Sequence, residues 1–152
     1  MAIGRFRFRY DALLLYRKRT LDRLAQELAG LQRELRAEDA RRAELEQLER
    51  LCIQDFAEHR EGELDVFCLR DYQAYMVRLR RIVEALTARI VALREFEDAK
   101  RDEVVEASKR KKIVERLKER DKANFEKLLT EKERKFLDEI GNVRAAVQDR
   151  TL

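Results

Sequence analysis

The chain has 152 residues, 43% of them charged and only 7% aromatic, with 35 basic against 31 acidic side chains and a formal net charge of +4. One domain is the expectation at this length, yet there is too little apolar side chain for a thick globular core and enough for a thin seam between helices. Leucines at regular helical spacing and the complete lack of proline argue against a disordered chain, and no apolar run approaches the roughly 20 residues of a membrane span.

The opening, Phe6-Arg7-Phe8-Arg9-Tyr10, alternates cation and aromatic with the period of a strand, but it is too short and isolated to pair with one. Phe6 and Phe8 have two readings: they fold back on the first turn of the helix after them, or they anchor a partner. From Asp11 the pattern turns helical. Stepping by three and four from Leu21 gives Leu24, Leu28, Leu31, Leu35, Glu38, Arg42, Leu45, Glu49, Cys52 and Phe56, an apolar seam broken mainly in its middle. Gly30 lies beside the seam and costs about 1 kcal/mol relative to alanine. The first helix is expected over about 11–59.

Between His59 and Arg70 the apolar rhythm fails. Gly62 is the one internal glycine at such a break, and glycine takes left-handed backbone angles freely. His59 and Arg60 are cations where a helix C-terminus favours them, and Asp65 is a candidate N-cap for the next helix. The bend of a helical hairpin is expected over about 60–67. Cys52 and Cys68 flank it without metal-ligand spacing and are read as seam residues with free thiols.

The second helix is expected over about 68–140. Tyr72, Met76, Leu79, Val83, Leu86, Ile90 and Leu93 continue the heptad unbroken, whereas Glu97, Lys100, Val104, Ala107, Lys111, Val114, Lys118 and Asp121 are mostly polar. Off-register Phe96, Ile113 and Leu117 suggest that the heptad slips there. The arms then measure about 73 Å and about 110 Å at 1.5 Å per residue. The fold class is therefore all-α, an antiparallel two-helix coiled coil in a single domain, 1–152, with frayed termini. Residue i pairs with about 127 − i, and the second helix overhangs the first beyond about residue 118. That overhang carries Phe125, Leu128, Leu129, Phe136, Leu137, Ile140, Val143 and Val147 on a face a helix would bury.

Charge is polarised along this hairpin. The runs Arg17-Lys18-Arg19 and Lys109-Arg110-Lys111-Lys112 meet at the open end, and Asp55, Glu58, Glu61, Glu63 and Asp65 gather at the bend. A solvated face explains any one of these residues, but two separate basic runs at one end point to an acidic partner. No phosphate-cradling loop, nucleophile–histidine pair, metal-ligand cluster or cofactor motif occurs, and no enzyme is expected. A basic coiled-coil scaffold or nucleic-acid binder is the alternative of another class, but the cations are diluted by acids and the aromatics form no stacking platform.

Three motifs carry a resemblance. The opening Phe6-x-Phe8-x-Tyr10-x-x-Leu13-Leu14-x-x-Arg17, the segment Leu69-x-x-Tyr72-x-x-Tyr75-x-x-x-Leu79 and the ending Glu131-Lys132-Glu133-x-Lys135-x-Leu137-Asp138-Glu139 resemble, in order, the FliJ family of the bacterial flagellar type III export apparatus. Tyr10 stands where leucine is more usual. The resemblance implies a non-enzymatic, cytoplasmic stalk similar to that of rotary ATPases, serving motility at the inner-membrane export apparatus and reaching the membrane only through it. Its implied partners are the export ATPase hexamer, the cytoplasmic domain of the export gate and export chaperones, with no nucleic acid. Tyr72, Tyr75 and Leu79 would face the gate. Phe6, Phe8, Arg17, Lys18, Arg19, Lys109, Arg110, Lys111, Lys112, Phe136 and Leu137 would lie on the ATPase side. The injectisome stalk proteins share this architecture and remain the near alternative.

Overall fold

A computed structural model describes residues 5–58 and 66–148. Helix α1 spans Asp11–Glu58 and helix α2 spans Val66–Gln148, with no strand among the described residues. The expected bend, with His59, Gly62 and Asp65, falls largely outside the described residues, as does the side chain of Val147. Helix α2 continues past residue 140, through Gly141, to Gln148. A lone glycine costs a long helix only about 1 kcal/mol.

The chain divides into two compact units, one holding Asp22–Val105 and the other the residues before and after that stretch. In the first unit the two helices run antiparallel and bury one narrow seam. Every heptad position read from the sequence between Leu24 and Phe56 of α1, and between Tyr72 and Val104 of α2, is buried or half-buried. Ile90 is fully enclosed, at 0% exposure, and Met76, Leu79, Leu86 and Leu24 are buried with it. Near the ends of the helices the rings of Phe56 and Tyr72 stack, with centroids 4.2 Å apart and planes 12° from parallel.

The heptad does not slip. Phe96 points away from the seam at 66% exposure, while Glu97 and Lys100 occupy seam positions. The polar seam residues hold because they, or their flanking neighbours, find partners across it. Lys100 Nζ lies 3.0 Å from Glu27, Gln32 Nε2 donates to Glu97 at 3.1 Å, and Arg94 reaches Asp39 at 3.4 Å. Arg89 bridges Glu34 at 2.8 Å and Glu38 at 3.2 Å, and Arg80 meets Glu49 at 2.8 Å. All follow the i with 127 − i register to within a few residues. Pairs this exposed add little stability. They discriminate against other registers, where like charges would meet.

In the other unit α1 begins directly after a turn at residues 9–10. Tyr10 acts as the N-cap backbone, its carbonyl accepting the first helical bond from Leu14 N–H at 3.0 Å, and Asp11 places a carboxylate in the first turn, where the helix dipole favours it. Residues 5–10 lie along α2. Phe8 is buried with Leu14 and Val114, and Phe6 and Leu117 pack on that cluster. Phe6 meets the ring of Phe125 at 5.7 Å. Lys118 covers the Phe8 ring at 5.7 Å and pairs with Asp11 at 2.7 Å.

This packing moves the start of the overhang. Helix α2 has partners in its own chain as far as Phe125, not merely to about residue 118. The reason is geometric: extended chain advances about 3.3 Å per residue and helix 1.5 Å. The non-helical residues before Asp11 carry the chain from Lys118, the partner of Asp11, to Phe125, the partner of Phe6. Of the other two off-register residues, Ile113 is exposed at 66% and Leu117 packs on the Phe8 cluster, while Val114 and Lys118 keep the original register.

Candidate partner-binding surfaces

In the unit of residues 22–105, helix α2 presents the motif Leu69-x-x-Tyr72-x-x-Tyr75-x-x-x-Leu79. Heptad geometry sends its members to different places. Leu79 is a seam residue, 4% exposed, and Tyr72 is half-buried against Phe56. Only Tyr75 shows a sizeable face to solvent, at 38%. It sits one position before seam residue Met76, on the flank of α2 that also carries Arg89.

The register that pairs Glu34 with Arg89 brings Leu48 level with Tyr75 two heptads further along, and Ile82 lies one heptad from each. Leu48, Leu51, Tyr75 and Ile82 are all exposed apolar residues. Reading the sequence for seam positions alone missed Leu48, Leu51 and Ile82. The signal that finds them is an apolar residue directly beside a seam position, where coiled coils usually carry charge.

Electrostatics in this unit are those of a surface network. The Glu27 carboxyl is held below its ordinary value chiefly by the hydrogen bond from Lys100, and the Lys100 ammonium is raised by its bonds to Glu103 and Glu27. A depressed carboxyl stabilises the fold above its unfolded-state pKa and loses that contribution as pH falls through the lower, folded value. Acidification should therefore lower the melting temperature through the acid side of the carboxylate range, and circular dichroism melts read this directly. Glu27→Gln should show a smaller fall over the same range. An equal fall in the two proteins would mean that Glu27 carries none of it.

In the other unit the basic runs lie on both helices. Lys18, Arg19, Lys109, Arg110 and Lys112 are exposed, whereas Arg17 and Lys111 are half-buried at seam positions. Lys109 pairs with Glu106 at 3.0 Å and Lys111 with Glu115 at 3.5 Å, each on its own helix. The Glu106 carboxyl is lowered mainly by Lys109. Arg17 lies over the ring of Tyr16 at 5.9 Å. Among the described residues no carboxylate is within ion-pair distance of Arg17, Lys18, Arg19, Arg110 or Lys112.

The aromatic pair of the opening is divided as well. Phe8 is enclosed at 5% exposure and Phe6 is half-buried, so both pack within the protein. Beyond Phe125, Leu128, Phe136, Leu137 and Val143 of the α2 stripe are each more than half exposed, and Leu129 and Ile140 are half-buried. The two chemistries of this unit are thus cations on both helices and an apolar stripe on α2 alone.

Nothing in either surface encloses a small molecule. Among the described residues no three His, Cys, Asp or Glu side chains converge as a metal site would need, and no helix is long and apolar enough to cross a membrane. What both surfaces offer is exposed apolar and charged side chains. Compared with known families, the chain matches the one described as Flagellar FliJ protein over residues 6–150. No curated protein and no solved structure matches it.

Proposed function

The chain belongs to the FliJ family of flagellar proteins, and on that premise we propose that it is a stalk-like adaptor joining the export ATPase to the export gate. Membership makes it a non-enzymatic component of flagellar protein export. The finer reading is that the basic residues Arg17, Lys18, Arg19, Lys109, Arg110, Lys111 and Lys112, with Phe136 and Leu137, engage an acidic, partly apolar socket on the ATPase hexamer. The gate's cytoplasmic domain takes the flank carrying Tyr75, together with Leu48 and Ile82. Export chaperones are further partners, and the protein acts in the cytoplasm, reaching the inner membrane only through these contacts.

The observation that carries this reading is the separation of roles among the named residues. Tyr72, Leu79, Phe6 and Phe8 pack within the fold, and Tyr75, the outer cations and Phe136 with Leu137 remain on the surface. A surface that mixes large apolar side chains with unpaired cations suits a protein partner better than a nucleic acid, whose phosphates call for cations in a dense row.

Pull-down of the purified protein with the export ATPase and, separately, with the gate domain from the same cell tests it. Both should be retained. Tyr75→Ala should reduce gate retention severalfold with an unchanged melting temperature, because the side chain is exposed and outside the seam. Undiminished gate binding by Tyr75→Ala would remove Tyr75 from the contact.

A further inference from the structure

Polar residues occur in the seam of both units, and several are answered by opposite charge or a hydrogen bond from the facing helix. Lys118 has Asp11, Lys100 has Glu27, Glu97 has Gln32, Glu38 has Arg89 and Glu49 has Arg80. Among the described residues Arg42 and Asp121 find partners only on their own helices, Arg42 with a buried Nε that has no hydrogen-bond partner, and one further layer departs by holding two cations. It lies one step along the seam from the Leu14–Val114 contact, where the next seam residue of α1 is Arg17 and that of α2 is Lys111. Both are half-buried. Neither has a carboxylate on the opposite helix. Lys111 borrows Glu115 from its own helix at 3.5 Å, and Arg17 has only the face of Tyr16.

Two cations in one half-dry layer repel each other and lose hydration, and only Lys111 has a partly compensating carboxylate, Glu115 on its own helix. Apolar layers border it on both sides, Leu14 with Val114 and Leu21 with Ala107, so leucine would suit the same positions better for folding. Lys18, Arg19, Arg110 and Lys112 surround the layer and raise the local positive potential further. Exposed Leu13, Leu15, Tyr16 and Ile113 lie nearby.

We infer that Arg17 and Lys111 form a receptor for a carboxylate: an Asp or Glu side chain of an acidic protein segment seats against the seam and supplies the counter-charge that the facing helices do not give each other. The guanidinium of Arg17 offers a planar fork suited to bidentate binding of such a group, and Lys111 adds a point charge. The apolar residues around the layer favour a protein segment over a free polyanion. With the ATPase as that protein, the inference rests on the function proposed above and names the group the ATPase must contribute. The layer also costs the free protein stability, which binding restores.

The test compares wild type with Arg17→Leu/Lys111→Leu. A control, Lys127→Gln/Lys135→Gln, removes the same net charge from exposed positions of α2. Without any ligand, the leucine variant should melt roughly 2–4 °C above wild type, the shift expected for about 1 kcal/mol in a chain of this size. A short oligo-glutamate peptide should raise the melting temperature of wild type and of the control, and leave the leucine variant unmoved. Inorganic phosphate and an oligonucleotide at matched ionic strength should act on all three proteins alike. The leucine variant should also bind the ATPase at least tenfold more weakly than the control does.

A leucine variant that melts at or below wild type would show that the layer carries no cost and overturn the inference. So would an equal peptide response in all three proteins, or a selective response to the oligonucleotide in place of the peptide. If wild type does not bind the ATPase at all, the proposed function falls, and the peptide arm alone still decides whether the carboxylate receptor exists.

Discussion

Ile90→Ala should destabilise the protein by about 2–5 kcal/mol, more than any exposed substitution along the same helix. Ile90 is the fully enclosed side chain of the seam, at 0% exposure, set between Leu86 and Leu93 one heptad step to either side. Truncation to alanine removes three carbons from a site with no solvent path, and the loss combines their transfer free energy with a cavity term. A two-helix seam has little material around it to collapse into that cavity. The facing side chains belong to α1, and moving them would disturb the ion pairs of Arg89 and Arg94 that fix the register.

Alanine has the higher helix propensity, which returns a few tenths of a kcal/mol. Packing nevertheless wins by several-fold. Urea unfolding followed by far-ultraviolet circular dichroism measures the change. Val91→Ala, at the adjacent and half-exposed position, should cost about 0.5 kcal/mol or less. If the two substitutions cost the same, the seam does not dominate stability.

Lys111→Glu/Lys112→Glu should weaken association with the export ATPase by about tenfold or more at low salt, a change of about 1.4 kcal/mol or greater. The two positions differ in kind. Lys112 is exposed, so its reversal acts through the long-range field, slowing encounter in a way that fades as salt rises. Lys111 is a half-buried seam residue. A glutamate there lies in the layer of Arg17 and competes from within the chain for the guanidinium that an incoming carboxylate would use.

The first effect is kinetic and screened by salt, and the second persists at moderate salt. Measuring association rates over a salt range that leaves helicity unchanged separates them. Gate binding should persist, because Tyr75, Leu48 and Ile82 are untouched. Unchanged ATPase affinity in the double reversal at low and moderate salt would reduce the basic runs to a solvated face.

Much of this molecule is determined by its sequence alone, because a coiled coil is a periodic object. The steps of three and four from Leu21 to Phe56 and from Tyr72 to Asp121 name the inward positions, polar ones included. Periodicity is local, so it survives without knowledge of the partner helix. The antiparallel register comes with it, since a chain with no proline and one break in its rhythm has few ways to pair with itself. The polar residues Glu97, Lys100 and Lys111 are where periodicity is hardest to read. A count of apolar residues takes them as a slipped heptad, whereas Glu27 and Gln32 on the other helix hold the first two in place.

Tertiary structure decided what pairs with what, and therefore which residues are left for partners. Phe8 is buried because Val114 lies beside it, and Phe6 is half-buried because the non-helical opening carries it to Phe125. Neither neighbour is close in sequence. Tyr72 and Tyr75 are indistinguishable in the motif that contains them, yet one stacks on Phe56 and the other meets solvent, since three residues of helix turn a side chain by about 300°. The cation-only layer of Arg17 and Lys111 is invisible in either run of basic residues. It exists only when two helices bring distant positions to one level and neither helix answers the other's cation with a carboxylate.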